Sequence, residues 1–266
     1  MIAITKRGVV MKSSNHLLAI FCLAMISNGF GGSACADDLV VFGTVAMKPA
    51  LVKLVPMFEN VAHTKVALTY TGGSDLKNRA EAGEQFDVLI GLKPATEGLI
   101  KSGIVLSEPK TQVGTALPHL AIKTASASPD ISNDAALKAV LLSAPSISVS
   151  DPVLGGASST YFMAVVKRLG IEESVMSKLL KTKTGEGAVP VGAGIAPLGI
   201  ALTSEIAGVP GVSGTSICGS DDSCKIVVYA TIASHAQHAD LGLKFIDFLA
   251  SPEAIAVRKE TGLAGE

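Results

Sequence analysis

The sequence predicts an α/β protein with a largely parallel sheet, helices on both faces of that sheet, and a second lobe. Strand-like and helix-like runs alternate along most of the 266 residues, which is typical of parallel strands joined by helices. Hydrophobic residues make up 48% of the chain and charged residues 17%, which is enough apolar material for a large core. The alternation restarts near residue 118, and this restart indicates the second lobe.

The first 36 residues are predicted to be a cleaved signal peptide. A basic start precedes "LLAIFCLAMI", an apolar run that is too short to span a bilayer. The small residues "ACA" then provide a cleavage site, so that the mature chain begins at Asp37 and is located in the periplasm. The alternative is a lipoprotein that is acylated on Cys35.

The elements of the first lobe follow in order after the signal peptide. "DLVVFG", "KVALTY" and "FDVLIG" are predicted strands, because they are short runs rich in β-forming residues. "KPALVKLVPMFENVA" is a predicted helix with Pro49 in its first turn, and Pro56 is expected to bend or shorten it. "SDLKNRAEAG" and "ATEGLIKSG" are further helices that end at glycines.

The second lobe repeats this alternation, and the chain then ends in two helices. "LPHLAIKT", "SISVSD" and "CKIVVYATIA" are predicted strands, while "NDAALKAVLLSA" and "YFMAVVKRLG" are predicted helices. "ADLGLKFIDFLASPEAIAVRKETG" contains the two terminal helices, which break at Ser251-Pro252. The predicted boundaries are 37–117 plus 234–266 for the first lobe and 118–233 for the second.

Three strand-to-helix bends are built from small residues and are the predicted ligand site. The first bend carries Thr44 and Ala46, the second Gly73 and Ser74, and the third Ala157, Ser158 and Ser159. Ligands of open α/β sheets bind at the carboxyl ends of strands, where helix N-termini present unpaired N–H groups to anions. No bend contains lysine or arginine, which favours a small oxyanion or carboxylate over a phosphate clamp.

Other kinds of site lack their sequence patterns. The chain has no P-loop, no G-x-S-x-G and no complete dinucleotide-binding glycine pattern, so we expect no cofactor and no nucleophilic catalytic residue. His235 and His238 share one helix face but lack a third ligand in register, so we expect no metal. The mildly acidic chain has no basic cluster, and we therefore expect no nucleic-acid partner.

Two cysteines remain after signal cleavage. Cys218 and Cys224 bracket a polar turn, and in an oxidising compartment this spacing predicts a disulfide that closes a short loop. We interpret the loop as a stapled surface hairpin.

Several blocks of the sequence resemble the periplasmic molybdate-binding protein family of ABC importers. These blocks are "VVFGTVAMKPALVKLVPMF", "YTGGSDLKNRAEAGEQFDVLIG", "SISVSDPVLGGASSTYFMAVVKRLGI", "APLGIALTSEI" and "KFIDFLASPEA". The resemblance implies the type II periplasmic binding protein fold, in which two α/β lobes with mixed sheets enclose a ligand cleft and are joined by two crossovers. It also implies a small anionic ligand, an ABC transporter permease in the inner membrane as partner, and a monomer.

This chain departs from the family at two positions of the implied site. Ala46 stands where the family has a serine, and Leu202 stands where it has a tyrosine. Ser204 joins the bend residues in the predicted ligand-binding set.

The sequence therefore predicts a periplasmic solute-binding protein that captures a molybdate-like oxyanion or a small carboxylate. The alternative is an exported isomerase of the aconitate isomerase type, which acts on a tricarboxylate and needs a positioned base. Asp75, Glu205 and Tyr161 are the candidate bases, although Asp75 also fits a helix first turn and Glu205 a solvated turn. A purely structural or adhesive exported protein is disfavoured, because nothing in the sequence repeats.

Overall fold

The computed structural model describes residues 38–219 and 221–263. The predicted signal peptide and the alternative lipid site at Cys35 lie outside the described residues. Within them the chain forms two mixed five-stranded sheets with helices packed against them, which confirms the predicted two-lobed α/β fold. Among the described helices, none has the length and apolar character that a membrane crossing requires.

The strands alternate with helices along the chain. The strands are β1 Leu39–Thr44, β2 Val66–Thr71, β3 Val88–Leu92, β4 Thr111–Ala116, β5 Pro118–Lys123, β6 Ile147–Ser150, β7 Leu179–Thr182, β8 Leu198–Leu202, β9 Val212–Ser216 and β10 Ile226–Ile232. The helices are α1 Lys48–Ala62, α2 Gly73–Glu81, α3 Lys93–Lys101, α4 Asp134–Ser143, α5 Ala157–Arg168, α6 Glu172–Met176, α7 Val189–Gly192, α8 Thr203–Ala207, α9 Ala239–Leu249 and α10 Pro252–Glu260.

Each sheet mixes parallel and antiparallel strands. The first sheet has the order β2-β1-β3-β10-β4, and the second has the order β7-β6-β8-β5-β9. In the first sheet β1 runs parallel to β2 and β3, whereas β10 runs antiparallel to β3 and β4. The carboxyl ends of the parallel strands of each sheet therefore lie at one edge, where the predicted bends begin.

Helix α1 shows how local sequence forms the core of the first lobe. Its buried residues, Ala50, Leu51, Leu54 and Phe58, recur at helical spacing and face the sheet. Pro56 lies inside the helix and does not end it, because the helix continues to Ala62. Phe58 packs against Phe245 of α9, with ring centroids 4.8 Å apart, so the terminal helices share this core. A second core around Phe162 and Ile200 fills the other lobe.

Two crossovers join the sheets. The first is at Leu117, between β4 and β5, and the second runs between β9 and β10. Because β10 pairs with β3 and β4, Ile226–Ile232 lies in the first sheet, whereas the sequence had placed this run in the second lobe. We therefore propose that the second lobe ends before Ile226.

The disulfide lies in the second crossover. Cys218 and Cys224 are bonded, with their Cα atoms 5.8 Å apart, as the sequence predicts. The loop is not a hairpin, however, because β9 before it pairs with β5 of the second sheet and β10 after it pairs within the first. The disulfide therefore closes a loop in a connection between the lobes.

Candidate functional site

The three predicted bends lie at the starts of helices, at the edges where the two sheets face each other. Each follows a parallel strand: β1 leads through the 3-10 turn Val45–Met47 to α1, β2 leads to α2, and β6 leads to α5. The residues that precede α2 and α5 are Gly72 and Gly156, which have no side chain that could cap the helix. The first N–H groups of both helices are thus left without a side-chain capping bond.

The second and third bends meet across the two lobes. A Cβ atom placed on Gly155 would overlap Ser74 Oγ, and one placed on Gly72 would lie 3.3 Å from the carbonyl oxygen of Leu154. Gly155 also has a φ of +66°, a left-handed conformation that glycine adopts without strain. Glycine is therefore required in the third bend both by its backbone conformation and by the approach of Ser74.

The hydroxyl groups of the third bend have partners within the protein. Ser159 Oγ donates a hydrogen bond to the carbonyl oxygen of Gly156 at 2.9 Å. Ser158 Oγ lies 3.5 Å from Glu205 Oε2 and is directed at it. Both serines are buried. Ser158, a predicted site residue, thus contacts the carboxyl group of Glu205, which the sequence interpretation places in a solvated turn.

Glu205 is buried, and the sequence interpretation of a solvated turn is wrong. Its side chain folds back over the start of α8, where Oε2 accepts a hydrogen bond from the Leu202 N–H at 2.8 Å. Burial raises the pKa of Glu205 to about 7. Half of the local signal was present in the sequence: a glutamate at the third position of a helix can accept from the N-cap N–H as in a capping box, but the N-cap residue is Leu202, which lacks the hydroxyl of the other half.

Glu205 lies where the second lobe approaches the first bend. A Cβ atom placed on Gly185 would lie 3.7 Å from Glu205 Oε1 and 3.5 Å from Val45 Cγ2. The carboxyl group and the first bend are therefore close neighbours around Gly185. A buried carboxyl group thus lies between the first and third bends, both of which belong to the predicted ligand site.

The remaining predicted residues present few free donors to a ligand. Thr44 and Ala46 are buried, and Ala46 packs in the apolar core of the first lobe. Ser204 is fully buried, and its Oγ has no hydrogen-bond partner among the described residues. Gly262 packs against Ser204, because a Cβ atom placed on Gly262 would lie 2.9 Å from the Ser204 nitrogen.

A cavity of about 880 Å³ lies between the lobes, beside the meeting of the second and third bends. Gly73, Ser74 and Ala157, all predicted site residues, line it together with Gly155. Three lysines also line it, and the sequence reasoning missed them because none lies in a bend: Lys77 on α2, Lys93 at the start of α3 and Lys225 before β10. None of the described residues that line the cavity is acidic, although Glu81 pairs with Lys77 and Asp221 accepts a hydrogen bond from Tyr161.

The two other candidate bases have ordinary structural surroundings. Tyr161 lines the cavity, and its hydroxyl donates to Asp221 Oδ2 at 3.4 Å. Burial and the neighbouring Asp221 carboxylate raise the pKa of Tyr161. Asp75 is exposed in the first turn of α2 and accepts a hydrogen bond from Thr71 Oγ1, as expected for a residue at a helix start.

His235 and His238 do not share a helix face, because both precede α9, which begins at Ala239. The backbone N–H of His238 donates to Asp87 Oδ1 at 2.9 Å, and its ring nitrogen Nδ1 lies 3.2 Å from Asp87 Oδ2. Across the described residues no group of three or more His, Cys, Asp or Glu side chains has the arrangement of a metal site.

Comparisons with known proteins agree with this geometry. Residues 39–264 match the family model of bacterial extracellular solute-binding proteins. The chain is 25% identical over 253 residues to an aconitate isomerase of Pseudomonas sp., a match that covers 92% of this chain and 95% of that protein.

Solved structures of similar fold include binding proteins for different anions. The periplasmic molybdate-binding protein of Azotobacter vinelandii has a TM-score of 0.70 at 18% identity, covering 86% of this chain and 99% of that one. The sulfate-binding protein of Mycobacterium tuberculosis has a TM-score of 0.64 at 14% identity, covering 85% of this chain and 86% of that one. At these identities the likeness shows the fold alone.

Proposed function

Because the chain belongs to the family of bacterial extracellular solute-binding proteins, we propose that it captures a small anion between its two lobes. The captured anion is then delivered to the permease of an ABC importer in the inner membrane. The protein acts in the periplasm after removal of its signal peptide.

The inter-lobe cavity is the observation that carries this proposal. Residues of both lobes line it, so closure of the lobes encloses a bound solute, as in hinge-closing binding proteins. The starts of α2, α3 and α5 border it, and the positive ends of their helix dipoles favour an anion. Three lysines line the same cavity; Lys77 is paired with Glu81, and Lys93 stands at the start of α3.

Thermal unfolding in the presence of candidate anions tests the proposal. The purified protein, stripped of ligand, is heated with molybdate, tungstate, sulfate, phosphate, citrate or trans-aconitate. A ligand at a hundred times its dissociation constant adds about 2.7 kcal/mol to the free energy of unfolding, which raises the melting temperature by several degrees.

A pair of variants links any stabilisation to the cavity. Ala164→Trp places a large ring at a residue that lines the cavity and should remove the stabilisation. Ala135→Trp makes the same change at an exposed residue of α4 outside the cavity and should leave it intact. If no anion stabilises the wild-type protein, or if Ala164→Trp responds like the wild type, the proposal is wrong.

Isomerisation of a tricarboxylate is the second candidate function. Two observations favour it: the similarity to aconitate isomerase extends over 92% of this chain, and Glu205 has a pKa of about 7. A carboxyl group that is half ionised near neutral pH suits proton transfer beside a carboxylate. Glu205 does not line the cavity, so in this function it would take a proton from a tricarboxylate bound beside the first and third bends and return it at another carbon.

An absorbance assay of cis- and trans-aconitate interconversion separates the two functions. Turnover that Glu205→Gln abolishes would establish the isomerase, because glutamine keeps the shape of the side chain but does not accept a proton. Reversible binding of aconitate without interconversion would leave the binding protein as the function.

A further inference from the structure

We propose that the anion site of this protein is the lysine-lined cavity bordered by α2, α3 and α5, and that its ligand carries two or more carboxylates on an apolar carbon skeleton. The inference rests on the proposed function, since it names the place and the chemical class of the solute. The space between the first and third bends, where Glu205 lies, is not the anion site in this proposal.

The space between the first and third bends is unsuitable for an anion because the Glu205 carboxyl group lies there. Ser158 directs its hydroxyl at Glu205 Oε2, and Ser159 donates to the Gly156 carbonyl, so neither hydroxyl faces a ligand. Ala46 has no hydroxyl to offer. An oxyanion placed beside the Glu205 carboxyl group would meet a like charge whenever that group is ionised.

The lysines match a ligand with separated charges. Lys77, Lys93 and Lys225 come from three different elements and line one cavity of about 880 Å³. Cavities of this size hold drug-sized molecules, and a single oxyanion at the centre would not contact all of the walls. A polycarboxylate offers one carboxylate to each of several lysines.

The walls between the lysines match a carbon skeleton. Leu92, Pro94, Ile226 and Val227 contribute apolar surface, while Ser74 and Thr160 add hydroxyl donors. Apolar walls with a few placed polar groups are typical of sites for small organic molecules.

Lys93 is placed where it costs stability and where an anion would offset the cost. It is the first residue of α3, and the first turn of this helix contains no acidic residue. A cation at a helix N-terminus is disfavoured by the helix dipole. Lys77, by contrast, already pairs with Glu81 at 2.8 Å, so Lys93 provides the sharper test.

Calorimetric titrations with a graded set of probes test the ligand class. Acetate, succinate and tricarballylate carry one, two and three carboxylates, and tricarballylate has no double bond to isomerise. We expect affinity to rise along this series and to fall as salt is added, because salt screens the lysine charges. Molybdate is titrated in parallel.

Matched variants test the location of the anion site. Lys93→Gln should weaken tricarballylate binding about fivefold while leaving the melting temperature of the free protein unchanged or slightly higher. Lys101→Gln, in the last turn of the same helix and outside the cavity, should bind tricarballylate like the wild type. Ser158→Ala should also bind it normally, because Ser158 faces Glu205.

The outcomes are distinguishable from those of the proposed function. Binding of molybdate alone, with an affinity that Ser158→Ala lowers and Lys93→Gln does not, would overturn the lysine site but keep a solute-binding protein. Equal affinities for acetate and tricarballylate would overturn the polycarboxylate class. If neither molybdate nor any carboxylate bound, the polycarboxylate site would be wrong, and the solute-binding proposal would be wrong as well if tungstate, sulfate and phosphate also failed to stabilise the protein.

Discussion

Glu205 shows at the scale of one residue how burial changes the chemistry of a side chain. Its carboxyl group is enclosed by the second lobe and the first bend, and its ordinary pKa of 4.5 rises to about 7. The folded protein therefore holds a proton on Glu205 between pH 4.5 and 7, where the unfolded chain has lost it. This contribution to stability is fully present below pH 4.5 and is lost as the pH rises towards 7.

We predict that Glu205→Gln removes this pH dependence. The wild-type protein should lose about 3 kcal/mol of its free energy of unfolding between pH 4.5 and pH 8 through Glu205, as the shift in pKa requires. Between the same pH values the free energy of unfolding of Glu205→Gln should fall by about 3 kcal/mol less than that of the wild type. Urea unfolding at several pH values measures this difference. Glu186→Gln, at an exposed position, should keep the wild-type slope, and a wild-type slope in Glu205→Gln would contradict the prediction.

Asp87 acts at the scale of elements, because its carboxylate connects three of them. It lies just before β3 and accepts hydrogen bonds from the N–H of Val40 in β1 and from the N–H groups of Gln237 and His238 before α9. Burial alone would raise the pKa of Asp87, but the hydrogen bonds from Val40 and His238 outweigh it, so the pKa is lowered. The contribution of the Asp87 carboxylate to the stability of the fold is present above pH 3.8 and is lost as the pH falls through the lowered pKa of Asp87.

We predict that Asp87→Asn destabilises the protein by about 2–4 kcal/mol at pH 7. The amide cannot accept all of these hydrogen bonds, and buried N–H groups are left unpaired. Urea unfolding provides the measurement, and Asp247→Asn on the exposed face of α9 should stay within about 0.5 kcal/mol of the wild type. A cost below 1 kcal/mol for Asp87→Asn would show that the carboxylate does not join these elements.

At the scale of the whole molecule, the meeting of Gly155 and Ser74 controls how closely the lobes approach. We predict that Gly155→Ala separates them, because the added Cβ atom would overlap Ser74 Oγ of the other lobe. Small-angle scattering should show a larger radius of gyration, and anion affinity should fall.

Gly170→Ala is the matched control for the backbone strain. Gly170 has nearly the same φ, +65°, but no atom lies within 4 Å of its Cβ position. Both alanines cost about 1 kcal/mol of backbone strain, and only Gly155→Ala should change the scattering. Equal scattering from the two variants would show that Ser74 moves aside without separating the lobes.

The sequence predicts the fold well and the site only in part, for physical reasons. The alternation of elements and the glycine bends are local patterns, so β1, α2 and the glycines before α2 and α5 follow from short stretches of sequence. The membership of β10 in the first sheet depends on which strands it meets after a crossover. The burial of Glu205 and the grouping of Lys77 with Lys93 likewise arise only when distant elements pack.

The disulfide in the second crossover also affects the outcome of proteolytic cleavage. Cys218 and Cys224 enclose six peptide bonds of the connection between β9 and β10. A single cut among these bonds would break the backbone of that crossover and leave the two fragments covalently joined. The nicked molecule would still have two covalent links between its lobes, the chain at Leu117 and the disulfide. A cut in this loop therefore need not inactivate the protein.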